Sequence, residues 1–219
     1  MRVAISEGRT HSVEEIDLNE FRRILLVGGT GTGKTTKAKD IVRKAVRSGM
    51  GVIAISLNDE FRDLSGELGL DYVEVKDMGL EPDTFKRNSV LTLQGFFGDD
   101  LTKAGFLILE ILRHKMLDMR DVVVVIDDAD RFLNPSAWTE LMGITRKTGN
   151  ILVTTVQAPT RLGNKAHEIL SQADAVFIFR MNDSADLMIL RDVLRLDKDD
   201  VKDILTLPLG ESVLVKNHS

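Results

Sequence analysis

Residues 24–35 read Ile24-Leu25-Leu26-Val27-Gly28-Gly29-Thr30-Gly31-Thr32-Gly33-Lys34-Thr35, an apolar run that passes directly into the pattern G-x-x-x-x-G-K-[ST]. Four consecutive apolar residues read as a buried strand, and the glycines after it let the backbone wrap its N–H groups around a phosphate. A helix opening at Lys34 directs its positive end at the same anion. Lys34 is placed to neutralise the β- and γ-phosphates, and the Thr35 hydroxyl to complete the shell of a Mg²⁺ that bridges them. The candidate nucleotide-binding residues are therefore Gly28, Gly29, Thr30, Gly31, Thr32, Gly33, Lys34, Thr35 and Thr36, with ATP and Mg²⁺ the expected cofactors. The competing reading is a glycine-rich strand-to-helix turn without a ligand. Against it, strand, loop, Lys-Thr pair and helix all agree.

Outward from this unit, strands and helices alternate, the pattern of a parallel sheet covered on both faces. Helices are expected over 34–48, 59–68, 101–119, 135–148, 165–171 and 184–195, and strands over 51–55, 72–75, 89–93, 122–126, 151–156, 175–179 and 212–215. Residues 77–88, with Gly79 and Pro82, read as a loop, and residues 1–20 are ambiguous. The 219 residues suit one α/β domain, with 1–20 an N-terminal extension and 77–100 a variable insertion. With 43% hydrophobic and 29% charged residues the composition is that of a soluble globular chain, and 5% aromatics leaves little for base-stacking platforms. The absence of cysteine excludes disulfides, thiolate zinc sites and cysteine nucleophiles. No apolar run reaches the ~18 residues of a membrane span, and Met1-Arg2-Val3 lacks the apolar region of a signal peptide, so an intracellular, cytoplasmic location is expected. At a net charge of −5 the chain is no global polyanion binder. Contact with nucleic acid needs a local basic patch or one assembled by oligomerisation.

The run Val122-Val123-Val124-Val125-Ile126 is the most β-prone in the chain, and it ends in Asp127-Asp128. A carboxylate at the carboxyl tip of a buried strand is where P-loop enzymes hold their metal. Asp127 is thus the candidate Mg²⁺ ligand together with Thr35, and Asp128 the candidate general base for the attacking water. A turn-capping role for Asp128 is the alternative. The strand Ile151–Val156 likewise runs into a polar residue, Gln157. In P-loop ATPases with an extra strand between the P-loop strand and the metal strand, a residue at this tip senses the γ-phosphate.

With these motifs in place, the chain resembles the FtsK–HerA superfamily of DNA-pumping ATPases. The resemblance rests on Val123–Phe132 (VVVIDDADRF), Ile151–Leu162 (ILVTTVQAPTRL), Glu168–Met181 (EILSQADAVFIFRM) with Asp186 and Leu187 beyond, and Val52–Phe61 (VIAISLNDEF). Residues 77–100 match nothing in the family. Many members carry Glu where this chain has Asp128, and an acidic residue where it has Ser56, so Glu60 is carried over as a candidate site residue only. The resemblance implies a RecA-like, ASCE-class P-loop NTPase: a mostly parallel sheet flanked by helices, coupling ATP hydrolysis to movement of double-stranded DNA through a homo-oligomeric ring, a pentamer or hexamer.

Such rings place an arginine of one subunit against the γ-phosphate of the next. Arg146 is the first candidate, Arg161 the second and Arg180 the third. Lys37, Lys39, Arg43, Lys44 and Arg47 crowd the helix after the P-loop, where a solvated face at a subunit boundary is favoured over a phosphate-facing surface. Gly95-Phe96-Phe97-Gly98 reads either as a mobile pore loop or as a buried lid. The length holds a motor alone, which resembles the viral genome-packaging ATPases and implies capsid or vertex proteins as partners and the host cytoplasm or virion vertex as location. The alternatives are a cellular or plasmid translocase with separate accessory subunits, a filamentous-phage-type assembly ATPase, and a nucleotide switch or small-molecule kinase.

Overall fold

The computed structural model describes residues 9–11 and 16–217. Most of the expected extension 1–20, namely 1–8 and 12–15, lies outside the described residues. Among the described residues nine strands form one sheet: β1 (Arg9–His11), β2 (Arg23–Val27), β3 (Gly51–Ser56), β4 (Asp71–Glu74), β5 (Ser89–Thr92), β6 (Val122–Ile126), β7 (Ile151–Val156), β8 (Ala175–Phe179) and β9 (Ser212–Lys216). Their order is β1-β9-β8-β2-β7-β6-β3-β5-β4. Pairing is parallel from β8 through to β4, while β9 runs antiparallel to both β8 and β1. The P-loop strand β2 is therefore separated from β6, the strand that ends in Asp127, by β7, the inserted strand expected of this class.

Side-chain alternation along the central strands feeds two cores. Leu25, Val27, Val124, Ile126, Leu152 and Val156 point to one face, and Ile24, Leu26, Val123, Val125, Ile151 and Val153 to the other. The first face is covered by α3 (Gly98–Asp118), α4 (Pro135–Thr148), α5 (Ala166–Gln172), α6 (Ser184–Leu194) and α7 (Lys198–Thr206). The second is covered by α1 (Lys34–Arg47), through Ala38, Ile41, Val42 and Ala45, and by α2 (Arg62–Leu68), through Leu64. At ~1.5–3 kcal/mol per fully buried aliphatic side chain, this two-sided burial is what holds an all-apolar strand such as β6 in the middle of the molecule.

Polar groups are buried where they stitch the amino ends of the strands together. The Asn150 side chain accepts from Val122 N and donates to Met116 O and Met119 O, joining the ends of α3, β6 and β7. Asp174 accepts from Arg22 N, Arg23 N and the buried Arg23 guanidinium, joining β2 to β8. Burial pushes the Asp174 carboxyl up, but these donors outweigh it and hold it below the ordinary value.

Several elements differ from the sequence expectation. Helix α3 begins at Gly98, one residue after an aromatic pair that splits: Phe96 is buried and Phe97 is 79% exposed, so the lid and the exposed-loop readings each describe one ring. A 3-10 helix spans Pro159–Lys165 ahead of α5. The unforeseen helix α7 is a charged run with only Ile204 buried, started by a capping box between Asp197 and Asp200. The expected insertion 77–100 contains a 3-10 turn (Pro82–Thr84), strand β5 and the first residues of α3.

Candidate active site

The carboxyl ends of β2, β7 and β6 lie side by side, and the loops leaving them converge. Gly28 begins the loop after β2 because nothing larger fits: a Cβ there would stand 2.6 Å from the Phe179 Cβ. Gly33 adopts φ 111 as the cap of α1, where a Cβ would also meet Gly210 Cα at 2.8 Å. Gly29 N donates to Arg180 O at 3.0 Å and Gly28 N to Val156 O at 3.1 Å, so the loop is anchored to both neighbouring strands. Thr32 Oγ1 closes it on Gly29 O at 2.8 Å, while Thr30, Gly31 and Thr36 are exposed. Lys34 Nζ spans the loop, donating to Gly28 O at 2.7 Å and Gly29 O at 2.8 Å. Burial lowers the Lys34 pKa, against the opposing pull of Asp128, Asp127 and Asp130.

Asp127 leaves β6 at the level of Thr35. Thr35 Oγ1 lies 3.1 and 3.3 Å from the two Asp127 oxygens. Thr155, on β7, donates to Asp127 Oδ1 at 2.7 Å and accepts from Asp128 N at 2.7 Å. Burial pushes the Asp127 carboxyl up to about 6, with the charges of Asp128 and Glu60 adding to the lift and the Thr155 and Thr35 hydroxyls opposing it. A buried carboxylate beside a threonine hydroxyl is a pair of hard oxygen donors and so fits Mg²⁺, which is ordinarily held by one or two carboxylates together with substrate phosphates.

Asp128 sits in the left-handed region, φ 52, which turns its side chain out of the strand line. Gln157 Nε2 donates to Asp128 Oδ1 at 2.8 Å, and the Arg131 guanidinium stands 3.6 Å from Asp128 Oδ2. Asp130 faces inward and accepts from Gln157 N at 3.1 Å and Ala158 N at 3.2 Å.

The structure thus brings together Lys34, Thr35, Asp127, Asp128 and Gln157. Glu60 is exposed in the loop after β3, within electrostatic reach of Asp127. Arg146 is not with them: it is exposed on the last turn of α4, which ends beside the amino end of β7, across the sheet from its own P-loop. Arg161 instead pairs with Asp130 of the same chain at 3.3 Å, and Arg180 approaches the P-loop through its backbone. On α1, Lys39 and Arg43 are paired with Asp63 and Glu67 of α2 at 2.9 and 2.8 Å, so these two cations serve helix packing. Two residues of the cluster were passed over in the sequence, Thr155 and Asp130. The signal for the first was a threonine pair in an otherwise apolar strand, and for the second a third acidic residue after Asp127-Asp128.

A family model described as an AAA domain matches residues 22–162, more than half of the chain and the whole of the site just described. The chain belongs to the AAA-domain family of P-loop ATPases. No curated protein matches the sequence significantly. Among solved structures, VirB4 of Thermoanaerobacter pseudethanolicus superposes with a TM-score of 0.73 at 11% identity, over 94% of this chain and 90% of that one. The genome packaging NTPase B204 from Sulfolobus turreted icosahedral virus 2, in complex with AMPPCP, gives 0.65 at 15% identity over 92% and 94%. The bacterial conjugative coupling protein TrwBΔN70 gives 0.64 at 10% identity over 92% and 83%. These likenesses, all at 15% identity or below, establish a shared fold, the mostly parallel sheet flanked by helices that the sequence patterns lead one to expect.

Proposed function

We propose that this P-loop ATPase is a double-stranded DNA translocase, the motor subunit of a homo-oligomeric ring that packages a viral genome. The observation that carries the reading is the convergence of Lys34, Thr35, Asp127, Asp128 and Gln157 at the carboxyl ends of three adjacent strands, with the sensor strand between the other two. Support for packaging comes from the viral NTPase, which is matched over nearly the whole of both chains. A conjugation-type motor working with separate accessory subunits is the second reading, supported by the structural likeness to the bacterial conjugative coupling protein.

In this reading Lys34 and the backbone N–H groups of residues 28–35 hold the triphosphate. Thr35 and Asp127 would hold Mg²⁺, which when bound would neutralise negative charge on the triphosphate. Asp128 accepts the proton of the attacking water as the bond between the γ-phosphorus and the bridging oxygen breaks, leaving ADP and phosphate. Gln157, already bonded to Asp128, orients that water. Arg146 completes the γ-phosphate site of the neighbouring subunit, a role for which its distance from its own P-loop is required. The ring acts in the host cytoplasm, at the capsid vertex.

The division of roles is tested by two variants. Lys34→Ala should lose both hydrolysis and most ATP affinity, because the γ-phosphate loses its fixed cation. Asp128→Asn should bind Mg·ATP as the parent does and turn over at least ~10²-fold more slowly, in the range expected of a lost general base. Equal loss of nucleotide binding in both, measured by equilibrium titration, would contradict the assignment.

A further inference from the structure

Strand pairing between β6 and β7 stops at the Ile126–Thr154 register pair, yet the residues with the most chemistry, Asp127, Asp128 and Gln157, all lie beyond it. Past the end of a ladder, backbone N–H groups have no strand partner and loop positions are not fixed by the sheet. Here two side chains continue the seam. Thr155 bridges β7 to Asp127 and to the Asp128 backbone. The Asp130 carboxylate reaches back across the same seam and takes the N–H groups of Gln157 and Ala158, one on each oxygen.

Asp130 is unlike the two acids before it. Its side chain is wholly buried at 0% exposure, and burial pushes its pKa up against the pull of the Gln157 and Ala158 N–H groups and of Arg161. Its charge is thus committed to donors of this chain: two backbone N–H groups and Arg161, which lies half-exposed on the 3-10 helix at 3.3 Å. A buried carboxylate is costly to keep unless it is paired and hydrogen-bonded, and this one is bonded to the backbone of the residue whose amide, through Nε2, touches Asp128 at 2.8 Å.

We infer that Asp130 is a positioning residue for hydrolysis: by clamping the Gln157 backbone it fixes the distance from the Gln157 amide to Asp128, and Arg161 holds Asp130 in place from the surface. The inference rests on the ATPase reading above and on the water-orienting role given there to Gln157. Asp130 touches neither nucleotide nor water; it acts through Gln157. Misplacing a catalytic group by about 1 Å is enough to cost on the order of 10²-fold in rate, so a clamp of this kind is expected to matter for kcat while leaving the P-loop's hold on the phosphates intact.

The test is a double-mutant cycle on purified full-length protein, reading kcat, KM and the Kd for ADP. Gln157→Ala should lower kcat. Asp130→Ala should lower kcat by roughly 10- to 100-fold with the ADP Kd unchanged, and in the Gln157→Ala background it should lower kcat no further, since its only task is then already lost. Asp130→Asn keeps one acceptor oxygen and should fall between the two. It also gives a measurable variant if the alanine protein does not fold. Arg161→Ala should act in the same direction and more weakly. If Gln157→Ala turns over at the parental rate, the role assigned to Gln157 is wrong and this inference falls with it. If Gln157→Ala is slow but Asp130→Ala and Asp130→Asn match the parent, or if the Asp130 substitution multiplies the loss in the Gln157→Ala background, the assignment of Asp130 alone is overturned.

Discussion

At the scale of single residues, the site stores electrostatic strain in Asp127. Its pKa in the folded protein, about 6, stands above the ordinary aspartate value of ~3.9. The folded state therefore binds more protons than the unfolded chain between these two values, and stability falls as pH rises through that window and stays lower above it. Two pKa units correspond to about 3 kcal/mol. In protein free of nucleotide and metal, Asp127→Asn should therefore be more stable than the parent at neutral pH and no more stable well below pH ~3.9, where the parent carboxyl is protonated in both states. Thermal melts at the two pH values check this, and an equal difference at both would contradict it. The Asp127→Asn protein should also hydrolyse no ATP. The P-loop, Asp127, Asp128 and Gln157 were legible in the sequence because each sits at a fixed offset from an apolar strand. Thr155 and Asp130 were not, because their partners lie on a different strand, 27 or 28 residues away, and only the parallel register of β6 and β7 brings them together.

At the scale of elements, close approach of backbones sets what the helices tolerate. In α3, a Cβ on Gly105 would stand 2.0 Å from Phe132 O, whereas Gly143 of α4 has open space around it. Glycine to alanine inside a helix otherwise gains up to ~1 kcal/mol. Gly143→Ala should therefore raise the melting temperature, while Gly105→Ala should lower it by the ~1–3 kcal/mol of an overpacked contact. Matching shifts of the same sign would show that α3 does not depend on its approach to Phe132. The strands from β2 to β9 were readable from apolar runs bounded by turn residues, and so were the helices with an apolar face. Helix α7 was hidden because its run is short and highly charged, with Ile204 its one buried residue and Val201 packed beside it, and the capping box of Asp197 marks its start. The order of the strands could be anticipated only at the β7 insertion, since sequence patterns report which residues are buried but not against which strand they lie.

At the scale of the whole molecule, the site opens at the carboxyl ends of the strands and Arg146 stands near their amino ends. A head-to-tail ring brings such opposite surfaces together. If Arg146 acts on the neighbour's γ-phosphate, an Arg146→Ala subunit keeps its own P-loop and disables the next site, so titrating it into the parent at fixed total protein should depress ATPase activity more steeply than dilution. A straight mixing line would exclude Arg146 as an essential residue in trans. In the proposed reading the chain is a DNA-driven ring motor and not an isolated nucleotide switch. The most direct measurement is steady-state Mg·ATP hydrolysis by the parent protein across a range of protein concentrations, with and without linear double-stranded DNA. Specific activity is predicted to rise with concentration as rings assemble and to rise again when DNA is added. Activity that is independent of both would contradict the motor reading.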